Sequence, residues 1–312
     1  MLGIGVSTYN DHISTNNLIT SIKQFTSGEI NKDYKIVVVD DGTKNQGVID
    51  NLKDVCKTHG VAFSQNSENR GIPFTWNRLV DYCNTDIVVL FNNDIFVVNK
   101  DWLKHIEYFL TQNEKIGTVG FPLIDLQQRY DERSWGDRPG HVGAPVGCCF
   151  GFKKEVWQQV KNPDGSVGFY EDLISFHEET FLGFRLSEMG YYNYMLNWPP
   201  MIHLGSQTFS KNHELAERTI DWSKWNKQEY IDIITRSNIY PGHWKNNRIA
   251  WVNSKGIETV DRMAFSRYIF AKYWNVLSDY DNPAIPVHKR VVDTIPKRSI
   301  KWLDKNMKEC EI

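Results

Sequence analysis

The residues best placed to do chemistry close an apolar run. Ile87-Val88-Val89-Leu90-Phe91 ends abruptly in Asn92-Asn93-Asp94. The run does not alternate, as in a strand of a parallel sheet covered on both faces. A buried strand that delivers a short polar tip at its C-terminal end is how open α/β sheets present ligand sites. Hard oxygen ligands on such a tip suit Mg2+ or Mn2+, and such an ion suits a diphosphate. The same three residues also suit a plain polar turn, because Asn and Asp favour turns. The tip alone does not separate the two readings.

The elements that must position this tip can be read around it. Residues 3–8 form a short apolar strand ending in Ser7-Thr8-Tyr9-Asn10. A helix follows with Leu18, Ile19, Ile22 and Phe25 on one face, capped by Thr15 or Asn16. Residues 34–39 form a second strand, which ends in Asp40-Asp41-Gly42-Thr43. A helix over 48–56, a short strand over 61–63 and a helix opened by Asn69-Arg70-Gly71 complete the approach. This alternation predicts an α/β fold: a mainly parallel sheet with crossover helices. No GxGxxG and no Walker lysine loop occurs in it.

The bulk numbers bound the function. At 312 residues the chain suits one large α/β domain, or a domain with an appendage. The 36 basic and 38 acidic residues nearly cancel, which excludes a generally basic nucleic-acid coat but not a local basic face. No apolar run reaches eighteen residues, so no transmembrane helix is expected, and Met1-Leu2-Gly3-Ile4-Gly5 lacks the basic start of a signal peptide. Cys56, Cys83, Cys148, Cys149 and Cys310 make an odd count without CxxC spacing, which predicts free thiols in a reducing, cytoplasmic compartment (the host cytoplasm if the chain is viral). The 11 Trp and 14 Tyr are many; sugar-binding surfaces use such rings, and cores account for most of them.

Taken in order, these segments resemble the nucleotide-sugar half of GT-A glycosyltransferases, in particular the large inverting family 2. That family has a Thr-Tyr-Asn-like end to its first strand, an Asp-Asp-Gly-Ser-like end to its second, an Asn-x-Gly stretch followed by a helical Asn, and an Asp-x-Asp motif. The matching positions here are Thr8 and Asn10, Asp40, then Asn69, Gly71 and Asn77, then Asn92-Asn93-Asp94. The first Asp of the last motif is replaced by Asn92, while Asp94, in the position that meets the metal, is kept. Further on, a small-residue strand over 142–152 before a helix over 153–160 is similar to the family's acceptor-side strand, and Phe169-Tyr170-Glu171-Asp172 to the segment before its catalytic helix. His177 to Tyr191 resembles the family's Glu-Asp-x-Asp-Leu-x-x-Arg-Leu-x-x-x-Gly-Tyr run. Counted back from Arg185, Glu179 falls at the catalytic base and Glu178 one before it, while Phe181 replaces the later Asp. His203-Leu204-Gly205-Ser206 is similar to the family's His-x-Gly-Ser, whose His is a metal ligand.

The resemblance covers residues 3–209 and implies a metal-dependent inverting glycosyltransferase. It implies Asp94 and His203 as ligands of Mn2+ or Mg2+, with Asn92 and Asn93 on ribose or diphosphate oxygens. It places Asp40 on the base, flanked by Thr8 and Asn10, with Asn69, Gly71 and Asn77 also on the donor side. Glu179 becomes the base and Glu178 an acceptor contact or understudy. The expected donor is a nucleoside diphosphate sugar, a UDP-sugar first; the acceptor is a glycan, or in a viral setting a modified base in DNA. Residues 1–209 would form the transferase domain and 210–312 a helical, aromatic-rich extension, with helical patterns over 215–225, 230–234 and 260–277. A basic cluster (His288, Lys289, Arg290, Lys297, Arg298, Lys301, Lys305) lies in that extension, interspersed with Asp293, Asp304 and Glu309. It fits a solvated tail, or a surface that holds an acceptor strand. Two other readings stay open: a nucleotidyltransferase, and a non-catalytic nucleotide-sugar binding module of which the changes at Asn92 and Phe181 would be signs.

Overall fold

In the computed structural model the described residues are 1–125, 140–142, 144–145, 147–175, 177–196, 200–204, 217–236, 259–273, 301–303 and 309–311. The first half runs β1 (Leu2–Thr8), α1 (His12–Phe25), β2 (Tyr34–Asp40), α2 (Gln46–His59), β3 (Ala62–Gln65), α3 (Ile72–Cys83), β4 (Ile87–Asn92) and β5 (Ile95–Val97). Then come α4 (Trp102–Gln112), β6 (Ile116–Gly120), β7 (Leu123–Asp125), β8 (Gly140–Val142), β9 (Cys149–Lys153), α5 (Lys154–Trp157) and α6 (Glu178–Glu188). The chain continues through β10 (Tyr192–Met195), β11 (Met201–His203), β12 (Glu217–Thr219), α7 (Lys227–Arg236), β13 (Thr259–Asp261), α8 (Arg262–Tyr273), β14 (Lys301–Leu303) and β15 (Glu309–Glu311).

The main sheet has the order β3-β2-β1-β4-β9-β6-β10-β8. The β3-β2-β1-β4 pairings are parallel, and β9 runs antiparallel between β4 and β6. Parallel crossovers explain the unalternating strands, because both faces are covered. Val89 and Phe91 of β4 point into the core under α1 and α4; Val88 and Leu90 point into the core under α3 and α6. Each such fully buried side chain contributes about 1.5–3 kcal/mol. The smaller sheet β5-β11-β7 sits beyond the β4 tip.

Several sequence expectations are corrected. Helix α1 is capped one turn earlier than Thr15 or Asn16: Asp11 accepts hydrogen bonds from the Ser14 amide at 3.0 Å and the Ser14 hydroxyl at 2.8 Å. A buried carboxylate at an N-cap satisfies two donors, while Thr15 turns its hydroxyl inward to Thr8. The small-residue strand expected over 142–152 is two strands, β8 on β10 and β9 between β4 and β6. The helix expected over 153–160 is the single turn of α5. In the extension, Glu217–Thr219 is a strand paired with Thr259–Asp261 rather than helix, and Trp222 and Trp225 lie in a turn. Long-range pairing overrides local helical periodicity there.

The extension does not stand apart where it is described. Ile220, Tyr230, Phe265, Tyr268 and Phe270 share one buried cluster with Tyr170, Phe181 and Phe184. Cys56, Cys83, Cys148 and Cys149 are free and buried. The side chains of Lys301 and Cys310, the rest of the basic cluster (His288, Lys289, Arg290, Lys297, Arg298 and Lys305), and Gly205-Ser206 lie outside the described residues. No helix among the described residues is long and apolar enough to cross a membrane.

Candidate active site

Strand register assembles the first wall. Thr8 pairs with Asp40 across β1 and β2, and Ser7 pairs with Asn92 across β1 and β4. Three polar strand ends therefore meet at one sheet edge, although they are far apart in sequence. Asn92 accepts a hydrogen bond from Ser7 Oγ at 3.2 Å, and Trp76 Nε1 donates to that same hydroxyl at 3.3 Å.

Beneath the edge lies a closed polar network. Thr8 Oγ1 accepts from Thr15 Oγ1 at 2.8 Å and from Asn93 Nδ2 at 3.2 Å, and donates to the Asp11 carbonyl. Thr8 and Asn93 are both buried. Their side chains hold the tip in place from inside, and a donor contact by either would exchange one of these bonds. Asp40 is buried, its oxygens accepting from the Thr43 amide at 2.7 Å and the Thr43 hydroxyl at 2.5 Å. Burial pushes the Asp40 carboxyl above the usual carboxylate range, and the Thr43 bonds oppose this. The Asn10 amide donates to Thr43 Oγ1 at 2.7 Å, with Asn10 in the left-handed region at φ 53°.

Asp41 is a residue whose role sequence reasoning missed. Its carboxylate accepts from the amides of Arg70 and Gly71, both at 2.9 Å, and from Asn66 Nδ2 at 2.8 Å. It thereby folds the 69–71 loop against the β2 end. Gly71 is required there: its φ is 95°, and a Cβ would lie 2.2 Å from the Ile174 carbonyl oxygen. Asn77 continues the seam. Its carboxamide donates to the Phe169 carbonyl at 2.9 Å and to Glu171 at 3.0 Å, and accepts from the Phe169 amide at 2.9 Å. Asn69 and Gly71 thus sit in the loop at the β2 end, while the Asn77 side chain ties α3 to the segment that leads into α6.

Asp94 and His203 meet although 109 positions separate them. Strand β11 pairs antiparallel with β5, setting His203 opposite Ile95, and the Leu204 amide donates to the Asp94 carbonyl at 2.9 Å. His203 Nε2 lies 3.4 Å from Asp94 Oδ2, and both residues are buried. Among the described residues no third His, Cys, Asp or Glu joins them.

The second wall comes from β9 and α6. The Asn92 amide donates to the Cys148 carbonyl at 3.0 Å. On the neighbouring Gly147, a Cβ would stand 2.8 Å from Glu179 Cδ and 3.0 Å from Glu179 Oε2. Glu179 therefore packs on the backbone of the segment that holds the β4 tip, and a side chain at 147 would push its carboxylate away. The small-residue composition around 147 was the one sequence signal of this contact. Glu178 is buried beside it, with no hydrogen-bond partner at Oε2 among the described residues. Burial pushes the Glu178 carboxyl well above the usual range, and the Glu179 charge adds to the shift. Glu179 is raised as well, again by burial. Helix α6 is pinned behind by Asn193, another missed residue. Its amide donates to the Gly183 carbonyl at 2.7 Å and the Ser187 hydroxyl at 3.0 Å, and its oxygen accepts from Thr118.

The folded chain is similar to solved glycosyltransferases. A mannosyltransferase from Pyrobaculum calidifontis, in complex with GDP-Man and Mn2+, aligns with TM-score 0.54 and 14% identity over 94% of this chain and 74% of that one. GalNAc-T7 with UDP, GalNAc and Mn2+ aligns with TM-score 0.54 and 11% identity, over 90% of this chain and 58% of that one. Residues 1–349 of TarS from S. aureus align with TM-score 0.54 and 13% identity, over 99% of this chain and 98% of that one. At such identities the likeness is one of fold, the GT-A fold. No curated protein matches the chain in sequence. Residues 4–160, half of the chain, match the family described as glycosyl transferase family 2, and the chain belongs to that family of glycosyltransferases.

Proposed function

We propose that the chain moves a sugar from a nucleoside diphosphate sugar to an acceptor hydroxyl with inversion, Glu179 serving as the base. One observation carries this reading. The Asn92 amide, two residues before Asp94 with its partner His203, donates to the Cys148 carbonyl, and Glu179 packs on the adjoining Gly147.

The pair fits a divalent cation. Ligand atoms about 2.1 Å from one ion stand about 3 Å apart when adjacent, close to the 3.4 Å observed. A carboxylate with an imidazole is a donor set that Mn2+ accepts, and Mg2+ follows if more of the shell comes from oxygen. The bound ion would neutralise charge on the departing diphosphate. Asn92, Asn10 and Asn69 line the donor edge, and Thr8, Asp40 and Asn93, buried beneath it, keep it in shape. Glu179 takes the proton of the acceptor hydroxyl as that oxygen forms its bond to the anomeric carbon. The bond from that carbon to the diphosphate breaks, and the diphosphate leaves with the electron pair. Because the base and the leaving group lie on opposite faces of the sugar, one displacement inverts the configuration. A UDP-sugar is the first donor to try and a glycan hydroxyl the acceptor.

A panel of UDP- and GDP-sugars, screened by thermal shift with and without Mn2+, tests the reading. A true donor at a hundredfold excess over its Kd stabilises by about 2.7 kcal/mol. Release of nucleoside diphosphate from the same compound is expected. If every sugar nucleotide leaves Tm unmoved in Mn2+ and in Mg2+, the reading fails; binding without turnover would favour a binding module instead.

A further inference from the structure

Helix α6 starts without a side-chain cap. His177 holds the N-cap position, yet its side chain makes no capping hydrogen bond to the first turn. It also adopts φ 67°, a left-handed conformation that a residue with a Cβ takes at a cost. Glu178 and Glu179 follow directly, so the backbone angles of His177 set where both carboxylates point.

What surrounds this turn is aromatic, and part of it comes from the extension. The His177 ring stacks on Phe270 of α8, with centroids 5.0 Å apart and planes 28° from parallel. Phe181, in the next turn of α6, meets Tyr273 of α8 at 4.7 Å and Tyr170 at 5.3 Å. Phe184 meets Phe270 at 5.6 Å. A polar tie joins the same bodies: Ser266 Oγ of α8 donates to the Leu173 carbonyl, in the turn just before α6. Phe181 is also the position where a family-like run would carry an acid. Here it is fully buried against α8, so the departure has a structural use: it is an anchor for the extension.

We propose that α8 is a positioning element of the transfer site, its Phe270 on His177 and its Tyr273 on Phe181 fixing the first turn of α6 so that Glu179 faces Gly147 and the β4 tip. This rests on Glu179 being the base. The packing side of the argument is independent of that role. Because the fixed turn is the one that carries the base, slack there moves the carboxylate and not the donor edge. Misplacing a reacting group by about 1 Å can cost about 100-fold in rate.

The test uses the full chain and release of nucleoside diphosphate from the sugar nucleotide that the panel identifies, with affinity read separately as UDP or GDP binding in Mn2+. Phe270→Ala is expected to lower kcat by about 10- to 100-fold. Nucleoside diphosphate affinity should stay within about threefold, since the α8 contacts described above are to α6 and the Leu173 turn and not to the ends of β1, β2 or β4. Amides of residues 178–181 should exchange faster by hydrogen-exchange mass spectrometry, those of β4 unchanged. Phe270→Tyr keeps the ring and should restore most of the rate. His177→Gly removes the other half of the stack at a backbone angle that glycine accepts, so it reports even if Phe270→Ala folds poorly; it should show the same split. Combined, the two changes should cost little more than the larger alone, because they delete one contact. The proposal is overturned if kcat is unchanged in both variants while Glu179→Gln is slow, if affinity falls as far as kcat, or if the two effects add fully. Should Glu179→Gln turn over as fast as the parent, the base assignment fails instead, which the amide exchange and the Phe270 variants would show separately.

Discussion

At the edge formed by β1, β2 and β4, Thr8, Asp40, Asp41 and Asn93 are buried and each is answered by hydrogen bonds. At the head of α6, Glu178 is buried to a similar degree and its Oε2 has no hydrogen-bond partner among the described residues. The first region is a network of short, saturated polar contacts on parallel strands. In the second, Glu179 packs on Gly147 and accepts one long hydrogen bond, 3.4 Å from the Thr180 hydroxyl, with Glu178 buried beside it. The contrast has a chemical logic. Polar groups that must not change charge are best saturated, because a buried unpaired group is costly. A base must be free to take a proton, and an apolar surrounding raises its pKa towards working pH.

The sharpest way to break this contrast is Glu179→Gln. Loss of a general base costs about 10²- to 10⁴-fold, so kcat should fall by that order. Donor affinity should remain within about threefold of the parent, since the base touches the acceptor and not the diphosphate. Glu178→Gln should cost less. If Glu178→Gln is the slow enzyme and Glu179→Gln the fast one, the roles are exchanged; if neither slows transfer, α6 does not carry the base.

On the polar side, Asp94→Ala and His203→Ala should each weaken Mn2+-dependent nucleoside diphosphate binding. The loss should be at least the roughly 10- to 100-fold that outer partners of metal ligands cost. Calorimetry that finds either variant binding the metal–diphosphate pair as tightly as the parent would remove the pair from the metal site.

Gly71→Ala tests the seam between the two regions. The new methyl would press on the Ile174 carbonyl at a positive φ, so a loss of about 2–4 kcal/mol in denaturant unfolding is expected. A loss under about 0.5 kcal/mol, ordinary for a surface change, would mean that the 69–71 loop is not tightly docked.

The smallest effect is in pH. The folded state holds the Glu178 proton more tightly than the unfolded chain, whose carboxyl titrates near about 4.3. That stabilisation is fully present below the unfolded value and is lost as pH rises through the raised folded value. Glu178→Gln, which never ionises, should therefore gain Tm relative to the parent as pH rises and show no such trend below about pH 4. Parallel Tm–pH curves for the two proteins would contradict the buried carboxyl. The acidic limb of kcat should likewise lie above the ordinary carboxylate range, because Glu179 is raised too.

How much of this was legible follows the range of the interactions. The strand ends at Thr8, Asp40 and Asn92 could be read, since each follows an uninterrupted apolar run and parallel strands align their C-terminal ends. That Glu178 and Glu179 open a helix ahead of Arg185 could be read because helical periodicity is local, whereas the role of Glu179 came only from the family resemblance. The cap at Asp11 was missed by one turn because the apolar stripe starts well after the cap. Asp41 brackets a loop 29 positions away, which no local pattern reports. Asn193 pins α6 from a strand whose own sequence looks like any buried strand.

The sequence by itself determined the alternation of elements, the buried character of the central strands, the polar strand ends and the order of the motifs. These are consequences of periodicity, turn chemistry and the covering of both sheet faces, all of which operate over a few residues. Only the tertiary structure decided that His203 stands 3.4 Å from Asp94, that Gly147 makes room for Glu179, and that Phe181 answers Tyr273 of the extension. Each of those contacts joins segments at least thirty positions apart. Their partners are selected by which faces remain to be buried once the sheet has closed, and that choice is not written in any one stretch of chain.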